Sequence, residues 1–397
     1  MHLGIIAATF TGNRGAEAML LSTIDHVRAR FPRSVVHVLS YSPAADLAEF
    51  ESRPIKNVFI HPATPLTLVA KWLPLAIVAK ALPLLKHTVC PHSHAQGVLS
   101  LLRLDALFCL AGVSFIDGRG KFLLFNVLTL FPFLIHGVPV FKMAQAMGPI
   151  RSLPNRLCAR WTLPRVRFIF ARGRSTARFL DETRLLDPSR WDVSPDIAFG
   201  LKCDPPAARA GDLALVPSVI LDRRHANYRK FIVDLVSLLA KDGVVTDLVV
   251  HSWKNDTGNP FNNDLPLAMD LRESLREQGV DVRILGEGCN AREIKSQISA
   301  RRICLTSRFH GMVAALDSAM PTVVLGWSHK YREVLAVFDR ESWALNIREN
   351  TPTSCAGAVK DLLAREQEER SHLATRLPAV REAVTSAFDR VFGMILK

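Results

Sequence analysis

Short apolar runs alternate with amphipathic stretches along most of the 397-residue chain. Apolar residues spaced three or four apart predict helices, as over 17–31 and 312–320, and short continuous apolar runs predict buried strands. Buried strands separated by crossover helices are typical of parallel sheets, so this alternation predicts an α/β fold. The predicted strands are 3–8, 34–39, 106–110, 138–143, 166–170, 213–217, 246–250, 280–285, 303–305 and 322–325.

A polar, proline-containing stretch over 202–212 interrupts this alternation near the middle of the chain, and a new strand follows it. A chain of this length exceeds what one hydrophobic core usually supports. We therefore predict two doubly wound parallel-sheet domains, 1–205 and 206–397, with an apolar insertion at 64–102 in the first. The amphipathic helices predicted over 353–397 then belong to the second domain.

The segment 64–85 is apolar, but three prolines and two lysines interrupt it, which argues against a membrane-spanning helix. It predicts either a surface that rests on a membrane, with Lys71 and Lys80 at the headgroups, or a pair of buried or loop-joined helices. The second interpretation is preferred. The apolar stretch 122–135 is also too short to span a membrane, and it predicts a core helix.

The formal net charge of +13 would attract nucleic acid, an anionic membrane or a phosphorylated substrate. The sequence contains no RNP, zinc-finger or helix-turn-helix motif and its basic residues are scattered, so no nucleic-acid partner is expected. The first strand begins without a signal-peptide pattern, and several of the seven cysteines lie in apolar runs. These features predict a cytoplasmic protein with reduced thiols.

Residues 302–330 carry the strongest functional signal. A strand ends at Ser307, Arg308 and His310 occupy the turn, and a helix and a second strand follow. Ligands of open α/β sheets bind at the carboxyl ends of strands and at helix N-termini, where backbone N–H groups favour anions. An arginine and a titratable base at such a turn predict an anionic substrate with proton transfer nearby.

A loop between the first strand and the first helix contains two glycines. Gly12 and Gly15 permit tight turns and the close approach of a ligand, and Asn13 can hydrogen-bond a sugar or phosphate oxygen. The loop lacks both the GxGxxG spacing of a dinucleotide site and the lysine of a P-loop. It is therefore either a substrate-binding loop of another kind or an ordinary structural turn.

Several other positions leave two interpretations open. Lys330 is a solvated lysine or a second cation for a phosphate, and Arg172 is a surface arginine or an anion clamp. His251 and Asp264 mark either a strand end that contacts substrate or a loop at the rim of a cleft. A histidine- and cysteine-rich stretch lacks a second ligand pair at zinc-finger spacing, and we interpret it as a loop without metal. Its members are His87, Cys90, His92 and His94.

Four landmarks follow one another along the chain: GNRGAE at 12–17, DALFCLAGVSFID at 105–117, FIFARGRSTARFL at 168–180, and Arg308-Phe309-His310 with Met320-Pro321 and Lys330 after it. In their order and spacing they resemble the polysaccharide pyruvyl transferase family, over about residues 1–340. Many members of that family have aspartate where this chain has Ala16, but Glu17 is present.

The resemblance implies a GT-B-like fold, in which two doubly wound domains face each other across a cleft. The first domain would be the acceptor side and the second the donor side. The implied reaction transfers a pyruvyl group from phosphoenolpyruvate to a sugar of a polysaccharide or of a lipid-linked oligosaccharide precursor, forming a cyclic ketal. We expect no cofactor and no metal, because arginines can hold the charge of the donor. A lipid-linked acceptor would favour weak association with the inner face of the cytoplasmic membrane.

The resemblance also implies roles for particular residues. His310 would be the general acid, with Arg308 beside it. Because the landmarks lie on both sides of the predicted linker, we expect Arg172 and Arg308 to point into one inter-domain cleft. The predicted donor-binding residues are Arg172, Ser307, Arg308 and Lys330, and the predicted substrate-binding loop residues are Gly12, Asn13, Gly15 and Glu17.

Two other functions fit the same pattern. A GT-B glycosyltransferase with a nucleotide-sugar donor would also place basic residues at a helix N-terminus, although no acidic ribose ligand is recognisable. A non-catalytic carbohydrate-binding or assembly protein on the same fold would have no need of the pair Arg308 and His310.

Overall fold

Two parallel sheets carry the fold, one of seven strands and one of six. The computed structural model describes residues 1–81, 98–118, 120–203, 210–253, 262–326 and 329–397. Unit 1 comprises Met1–Phe10, Met19–Ile197 and Ala383–Lys397, and unit 2 comprises Thr11–Ala18 and Ala198–Glu382. The prediction of two α/β units with parallel sheets is confirmed.

All ten predicted strands are present, with ends that differ by at most three residues from the predicted ones. Four short strands and the strand over 58–62 escaped the prediction. In chain order the strands are β1 His2–Ile6, β2 Gly12–Asn13, β3 Val35–Ser40, β4 Val58–Pro62, β5 Ala106–Cys109, β6 Val140–Gln145, β7 Phe168–Ala171, β8 Trp191–Val193, β9 Gly211–Val216, β10 Thr246–Val249, β11 Ser252–Trp253, β12 Arg283–Leu285, β13 Arg301–Thr306, β14 Thr322–Gly326 and β15 Ala344–Asn346.

Helices follow most strands, as expected for crossover connections. In chain order the α-helices are α1 Arg14–Arg30, α2 Pro43–Ser52, α3 Pro65–Thr67, α4 Leu73–Ala81, α5 Val98–Leu101, α6 Leu123–Leu128, α7 Phe131–Ile135, α8 Leu153–Thr162, α9 Arg174–Thr183, α10 Val219–Asp222, α11 Tyr228–Lys241, α12 Leu265–Glu277, α13 Ala291–Ser299, α14 Phe309–Leu316, α15 His329–Ala336, α16 Pro352–Ala364 and α17 Glu366–Ile395.

Each sheet reverses its direction of winding once. The order in unit 1 is β4-β3-β1-β5-β6-β7-β8, and the order in unit 2 is β12-β10-β9-β13-β14-β15, with parallel pairing throughout. The chain moves outward from β1 through β3 and returns to β5, and it moves outward from β9 through β10 and returns to β13. Such switch points, between β1 and β5 and between β9 and β13, are where open α/β sheets bind ligands.

The central strands are apolar because helices cover both faces of a parallel sheet. Every residue of β5, β6 and β7 is buried, and so are the last four residues of β9 and of β13. The continuous apolar runs in the sequence therefore correspond to strands that are buried on both sides.

The observed units differ from the predicted division at 205/206. Unit 2 begins at Ala198, and it also includes Thr11–Ala18, because β2 pairs with β11 rather than with the unit 1 sheet. The last residues of the chain belong to unit 1. There Phe388 stacks on His26 with ring centroids 4.3 Å apart, and Phe392 meets Phe31 edge to face at 5.2 Å. These contacts explain why the tail does not belong to unit 2.

The apolar segments of unit 1 also differ from simple core helices. The predicted core helix over 122–135 is two short helices, α6 and α7, and Leu124 of α6 is 67% exposed. Pro132 falls in the first turn of α7, where its missing N–H is tolerated, so a new helix begins there. The segment 65–81 is helical. One of its faces is buried and consists of Leu68, Trp72, Ala76 and Ala79.

Candidate active site

The turn between β13 and α14 lies at the switch point of the unit 2 sheet. The Ser307 N–H donates to the Val216 carbonyl at 2.9 Å, which continues the pairing of β13 with β9. Arg308 precedes α14 with extended backbone, and its N–H donates to Thr306 Oγ1 at 3.0 Å. Helix and strand approach closely, since a Cβ at Gly311 would lie 2.6 Å from Thr306 Oγ1. The turn is therefore fixed by backbone contacts on both sides.

Oxygen acceptors hold the guanidinium of Arg308. Its Nη1 donates to Asn262 Oδ1 at 2.8 Å, and its Nη2 forms a salt bridge with the fully buried Asp264. Asp264 also accepts the N–H of Val219 at 2.9 Å and that of Ser252 at 3.1 Å. Burial raises the pKa of Asp264 above its usual value, and Arg308 opposes that rise. Asp264 thus joins three segments of unit 2 and orients Arg308.

Two tyrosines support the residue before Arg308. The Tyr228 hydroxyl donates to Ser307 Oγ at 3.0 Å and accepts the N–H of Ser218 at 3.2 Å. The Tyr331 hydroxyl donates to the Ser307 carbonyl at 3.2 Å. Burial raises the pKa of both tyrosines, that of Tyr331 to about 12, so both stay neutral donors near pH 7. Lys330 precedes Tyr331, and the first turn of α15 therefore lies beside the predicted site.

The glycine loop joins the same site. β2 pairs antiparallel with β11, and Ser252 Oγ donates to the Gly12 carbonyl at 2.7 Å. Asn13 Oδ1 accepts the N–H of Gly15 at 3.1 Å. The backbone of Gly15 packs on the half-buried His310, because a Cβ there would lie 2.1 Å from Cγ and Nδ1 of the imidazole. The structure thus brings the predicted loop together with His310 inside unit 2.

Arg14 and Glu17 form a buried pair in the first turn of α1. Their side chains meet at 2.8 Å and are 1% and 3% exposed. The same Glu17 oxygen accepts the N–H of Ala291, the first residue of α13, at 3.0 Å. A carboxylate at a helix N-terminus is stabilising, so these contacts give Glu17 a structural role. Its predicted contact with substrate stays a prediction.

A second histidine belongs to the site. His251 lies two residues after the end of β10 and is only 4% exposed. Burial lowers its pKa well below the usual value, and electrostatic interactions with His310, Arg308 and Arg14 lower it further. A neutral imidazole therefore lies within the field of two guanidinium groups. Together these groups can bind an anion and pass a proton to or from it.

Arg172 lies in unit 1, directly after β7. Its Nη1 pairs with Asp196 at 2.6 Å and its Nη2 donates to the Gly112 carbonyl at 2.9 Å. With 8% exposure it is a buried, paired arginine and not the surface arginine of the alternative interpretation. Its predicted role in donor binding stays a prediction.

The interpretation of His87, Cys90, His92 and His94 as a loop without metal concerns residues outside those that the structure describes. Within the described ranges, no three His, Cys, Asp or Glu side chains are grouped so that they could hold a metal ion.

Sequence reasoning missed Arg14 and Tyr228 and left His251 and Asp264 undecided. His251 had a usable signal, because it is a polar residue at the carboxyl end of a strand next to the switch point. Asp264 and Tyr228 had none, since each begins or precedes a helix far along the chain from Arg308 and only folding brings them to it.

The family comparison covers most of the chain. A family model described as polysaccharide pyruvyl transferase matches residues 13–329. That range includes the loop after Gly12, His251, Arg308 and His310. By sequence, no curated protein matches the chain.

Solved structures resemble the chain over nearly its whole length. The UDP-GlcNAc 2-epimerase of Neisseria meningitidis bound to UDP-GlcNAc has a TM-score of 0.59 at 11% identity, covering 99% of this chain and 100% of its own. S. aureus MnaA with UDP has a TM-score of 0.55 at 12% identity, covering 94% and 91%. Arabidopsis thaliana UGT89C1 complexed with quercetin has a TM-score of 0.53 at 13% identity, covering 99% of both chains. These identities are low enough that the similarity shows the fold alone, and it confirms the predicted GT-B-like class.

Proposed function

We propose, since the chain belongs to the polysaccharide pyruvyl transferase family, that it transfers a pyruvyl group from phosphoenolpyruvate to a sugar and forms a cyclic ketal. The acceptor would be a sugar of a polysaccharide or of its lipid-linked precursor. No cofactor besides the co-substrate enters this proposal.

The proposed chemistry needs one acid and at least one cation. Protonation of the methylene carbon makes the adjacent carbon oxocarbenium-like, and one sugar hydroxyl adds to it and gives up its proton. Phosphate then leaves, and a second hydroxyl of the same sugar closes the ring and loses the other proton. Inorganic phosphate is released for each ketal formed. A bidentate arginine suits the carboxylate or phosphate of the donor, and an imidazole suits the proton transfer.

One observation supports the proposal most directly. A buried guanidinium and a half-buried imidazole, Arg308 and His310, follow the same strand at the switch point of unit 2, and the Gly15 backbone packs on the imidazole. The family match includes all three residues. The Nε of Arg308 is buried and has no acceptor among the residues that the structure describes. An oxygen of phosphoenolpyruvate could accept a hydrogen bond from it.

The test is phosphate release from phosphoenolpyruvate with a panel of methyl glycosides, with the ketal methyl group followed by NMR. His310→Ala should lower turnover by about 10²–10⁴, with a modest change in KM for phosphoenolpyruvate. Arg308→Ala should also raise that KM, by about tenfold or more, because it removes a charge-assisted contact. Arg276→Ala, at a surface pair, is the matched control. Near-normal turnover in His310→Ala would exclude the acid role.

A nucleotide-sugar transferase is the second candidate, because similar folds are seen with UDP-GlcNAc and UDP bound. Thermal shift separates the two functions. Phosphoenolpyruvate should raise the melting temperature of the wild type and not that of Arg308→Ala, whereas UDP and UDP-GlcNAc should leave both unchanged. A rise in melting temperature with UDP but none with phosphoenolpyruvate would favour the nucleotide-sugar transferase.

We also propose that unit 1 binds anionic membrane surfaces weakly through the outer face of residues 65–81. In the part of the chain that the structure describes, every helix is too short or too polar to cross a bilayer. The face opposite the buried one is apolar, with Leu66 78% and Ile77 54% exposed, and the exposed Lys71 and Lys80 lie beside it. Exposed apolar residues next to lysines fit an interface with anionic lipid, and the net charge of +13 adds attraction.

Sedimentation with phosphatidylglycerol vesicles at low and high salt tests this association. The wild type should bind at low salt and release at high salt, and the double change Leu66→Glu with Ile77→Glu should abolish binding. Val245→Glu, at a similarly exposed valine of unit 2, should behave as wild type. Equal vesicle binding by the double variant and the wild type would contradict the assignment of this face.

A further inference from the structure

Unit 1 contains a cavity of about 780 Å³ that the proposed chemistry has not used. Its lining comes from the loop 113–118 after β5, from Arg151 and Ser152 after β6, and from the first turns of α6 and α8. The cavity therefore lies at the carboxyl ends of two neighbouring strands, one of which borders the switch point of the unit 1 sheet. Ligands of open α/β sheets bind at this place.

The two loops that form the wall are tied to each other. Val113 pairs with Ala146, the N–H of Asp117 donates to the Pro149 carbonyl at 3.1 Å, and the N–H of Gly148 donates to the Phe115 carbonyl at 3.0 Å. Because the backbone of one loop bonds to the other at several points, the cavity has a preformed wall.

The lining combines apolar surface, oxygen acceptors and the exposed Arg151. Phe122 is 46% exposed and supplies an aromatic surface, and Leu123 lies next to it. Asp117 accepts hydrogen bonds from Ser152 Oγ at 2.8 Å and from Asn155 Nδ2 at 3.2 Å. The backbone N–H of Arg151 and these two side chains hold the pKa of Asp117 down, at about 2. The carboxylate is therefore ionised and fixed.

Asn155 is the second and independent indication of a ligand. The residue is 5% exposed and its amide nitrogen is taken by Asp117. Its buried Oδ1 has no hydrogen-bond partner among the residues that the structure describes. Leaving a buried acceptor unsatisfied is unfavourable, and a hydroxyl of a ligand in this cavity would satisfy it.

We infer that this cavity binds a neutral pyranose, with its hydroxyls donating to the Asn155 amide oxygen and to Asp117 and its apolar face against Phe122. Among the described lining residues one carboxylate, Asp117, is matched by one arginine, Arg151, so the lining favours neither sign of ligand charge, and several acceptors beside an aromatic surface match a neutral polyol ring. That this sugar is the pyruvylation acceptor rests on the proposed function. Sugar binding itself does not.

Binding of methyl glycosides to the full chain tests the inference by saturation-transfer NMR and calorimetry. Methyl β-galactoside, methyl β-mannoside and methyl α-glucoside are the probes, and methyl glucuronoside and inorganic phosphate are the anionic comparison. At least one neutral glycoside should bind, and Asn155→Ala should weaken it about three- to tenfold, the loss expected for one neutral hydrogen bond. The anionic probes should bind no more tightly than the neutral ones.

Phe122→Ala covers the case that Asn155→Ala folds poorly, because Phe122 is half-exposed and its removal should spare the fold. It should weaken glycoside binding as well. Asn57→Gly is the matched control, since it removes an amide from another unit 1 cavity at a φ of +56° that suits glycine. Failure of all three neutral glycosides to bind, or equal binding by wild type, Asn155→Ala and Phe122→Ala, would overturn the inference.

The outcome is separable from that of the proposed function. His310→Ala should bind the glycoside normally, and Asn155→Ala should keep the thermal shift with phosphoenolpyruvate. Glycoside binding that depends on Asn155 without any phosphate release would leave the sugar site standing and remove the pyruvyl transfer. Phosphate release at the wild-type rate in both Asn155→Ala and Phe122→Ala would support pyruvyl transfer and contradict the sugar site.

Discussion

At the scale of single residues, the candidate site is built from buried charges whose partners are all nearby. Arg308 is held by Asp264 and Asn262, and Arg14 is held by Glu17. A buried ion pair is a weak source of stability overall, but removing one partner is costly because the other charge stays buried. These pairs therefore serve mainly to hold the guanidinium groups in one orientation, which an anion-binding site requires.

Asp264→Asn tests this orientation. The change removes the charge that faces Arg308. It also removes one of the two carboxylate oxygens that accept the backbone N–H groups of Val219 and Ser252. We expect the free energy of unfolding to fall by about 3–5 kcal/mol and the KM for phosphoenolpyruvate to rise more than kcat falls. Denaturant melts and phosphate-release kinetics measure both. Asp270→Asn, at a surface pair with 55% exposure, should cost less than about 1 kcal/mol.

Gly15→Ala tests the contact between loop and imidazole. The added Cβ would lie 2.1 Å from two ring atoms of His310, so either the ring or the loop must move. We expect turnover to fall by about 10² or more, because small displacements of a reacting group are costly, while the fold is retained. Gly357→Ala is the control, since nothing lies within 4 Å of its added methyl group. Equal kcat in the wild type and Gly15→Ala would remove the contact from the mechanism.

At the scale of elements, three strands of unit 1 carry a row of histidines. His2 Nδ1 on β1 lies 3.0 Å from His37 Nε2 on β3, and His37 Nδ1 lies 3.0 Å from His61 Nε2 on β4. Burial and the charge of His61 and His2 lower the pKa of His37 to about 3, and burial lowers that of His61 to about 4. The parallel register brings these side chains together, although they are far apart along the chain.

This row predicts sensitivity to acid. In the unfolded chain a histidine takes up a proton near pH 6.5, whereas in the fold His37 and His61 do so only near pH 3–4. The two histidines therefore cost the fold no stability above pH 6.5. As the pH falls from 6.5 towards 4, protonation favours the unfolded chain and the free energy of unfolding declines. Between pH 7.5 and 5 we expect a loss of about 1–2 kcal/mol for each of the two.

Chemical denaturation at pH 7.5, 6 and 5 measures the slope. His37→Leu should flatten it, because one titrating group is gone and the apolar replacement fits the buried position. Phe59→Leu changes a neighbouring ring that does not titrate and should keep the slope of the wild type. An unchanged slope in His37→Leu would assign the acid sensitivity to other groups.

At the scale of the whole molecule, the chain passes more than once from one unit to the other. Residues 11–18, which form β2 and the start of α1, fold with unit 2 although β1 and the rest of α1 belong to unit 1. The last fifteen residues fold with unit 1 although the preceding part of α17 belongs to unit 2. Phe388 and Phe392 meet Phe108 of β5 with ring centroids 6.5 and 6.4 Å away. The C-terminus is thus part of the unit 1 core.

Removing these rings should destabilise unit 1. Phe388→Ala and Phe392→Ala should each lower the free energy of unfolding by about 3–5 kcal/mol, because both side chains are buried among other rings. Leu396→Ala, in the same tail but 57% exposed, should change it by less than about 0.5 kcal/mol. Thermal and denaturant melts compare the three variants. A stability loss no larger than that of Leu396→Ala would show that the tail is dispensable.

Much of the site could be predicted from the sequence because its strongest signals are local. An apolar run that ends in Ser307, Arg308 and His310 before a helical pattern already specifies a strand, a turn and the residues at the ligand-binding end of a sheet. The glycines at 12 and 15 likewise indicate a close backbone approach. Asp264, Tyr228 and the sugar cavity gave no such signal, since their neighbours in space lie far away in sequence.

The sequence by itself therefore determined the α/β class, the parallel strands, the family landmarks and the placement of Arg308 and His310 at a turn from strand to helix. Periodicity and turn chemistry act over a few residues, and these features depend on nothing longer. Only the tertiary structure decided that the Gly12 loop folds with unit 2, that Asp264 orients Arg308 and that the C-terminal tail completes the unit 1 core. These outcomes depend on which strands and helices pack together, and the free energy of that packing is a property of the folded chain and not of any one segment.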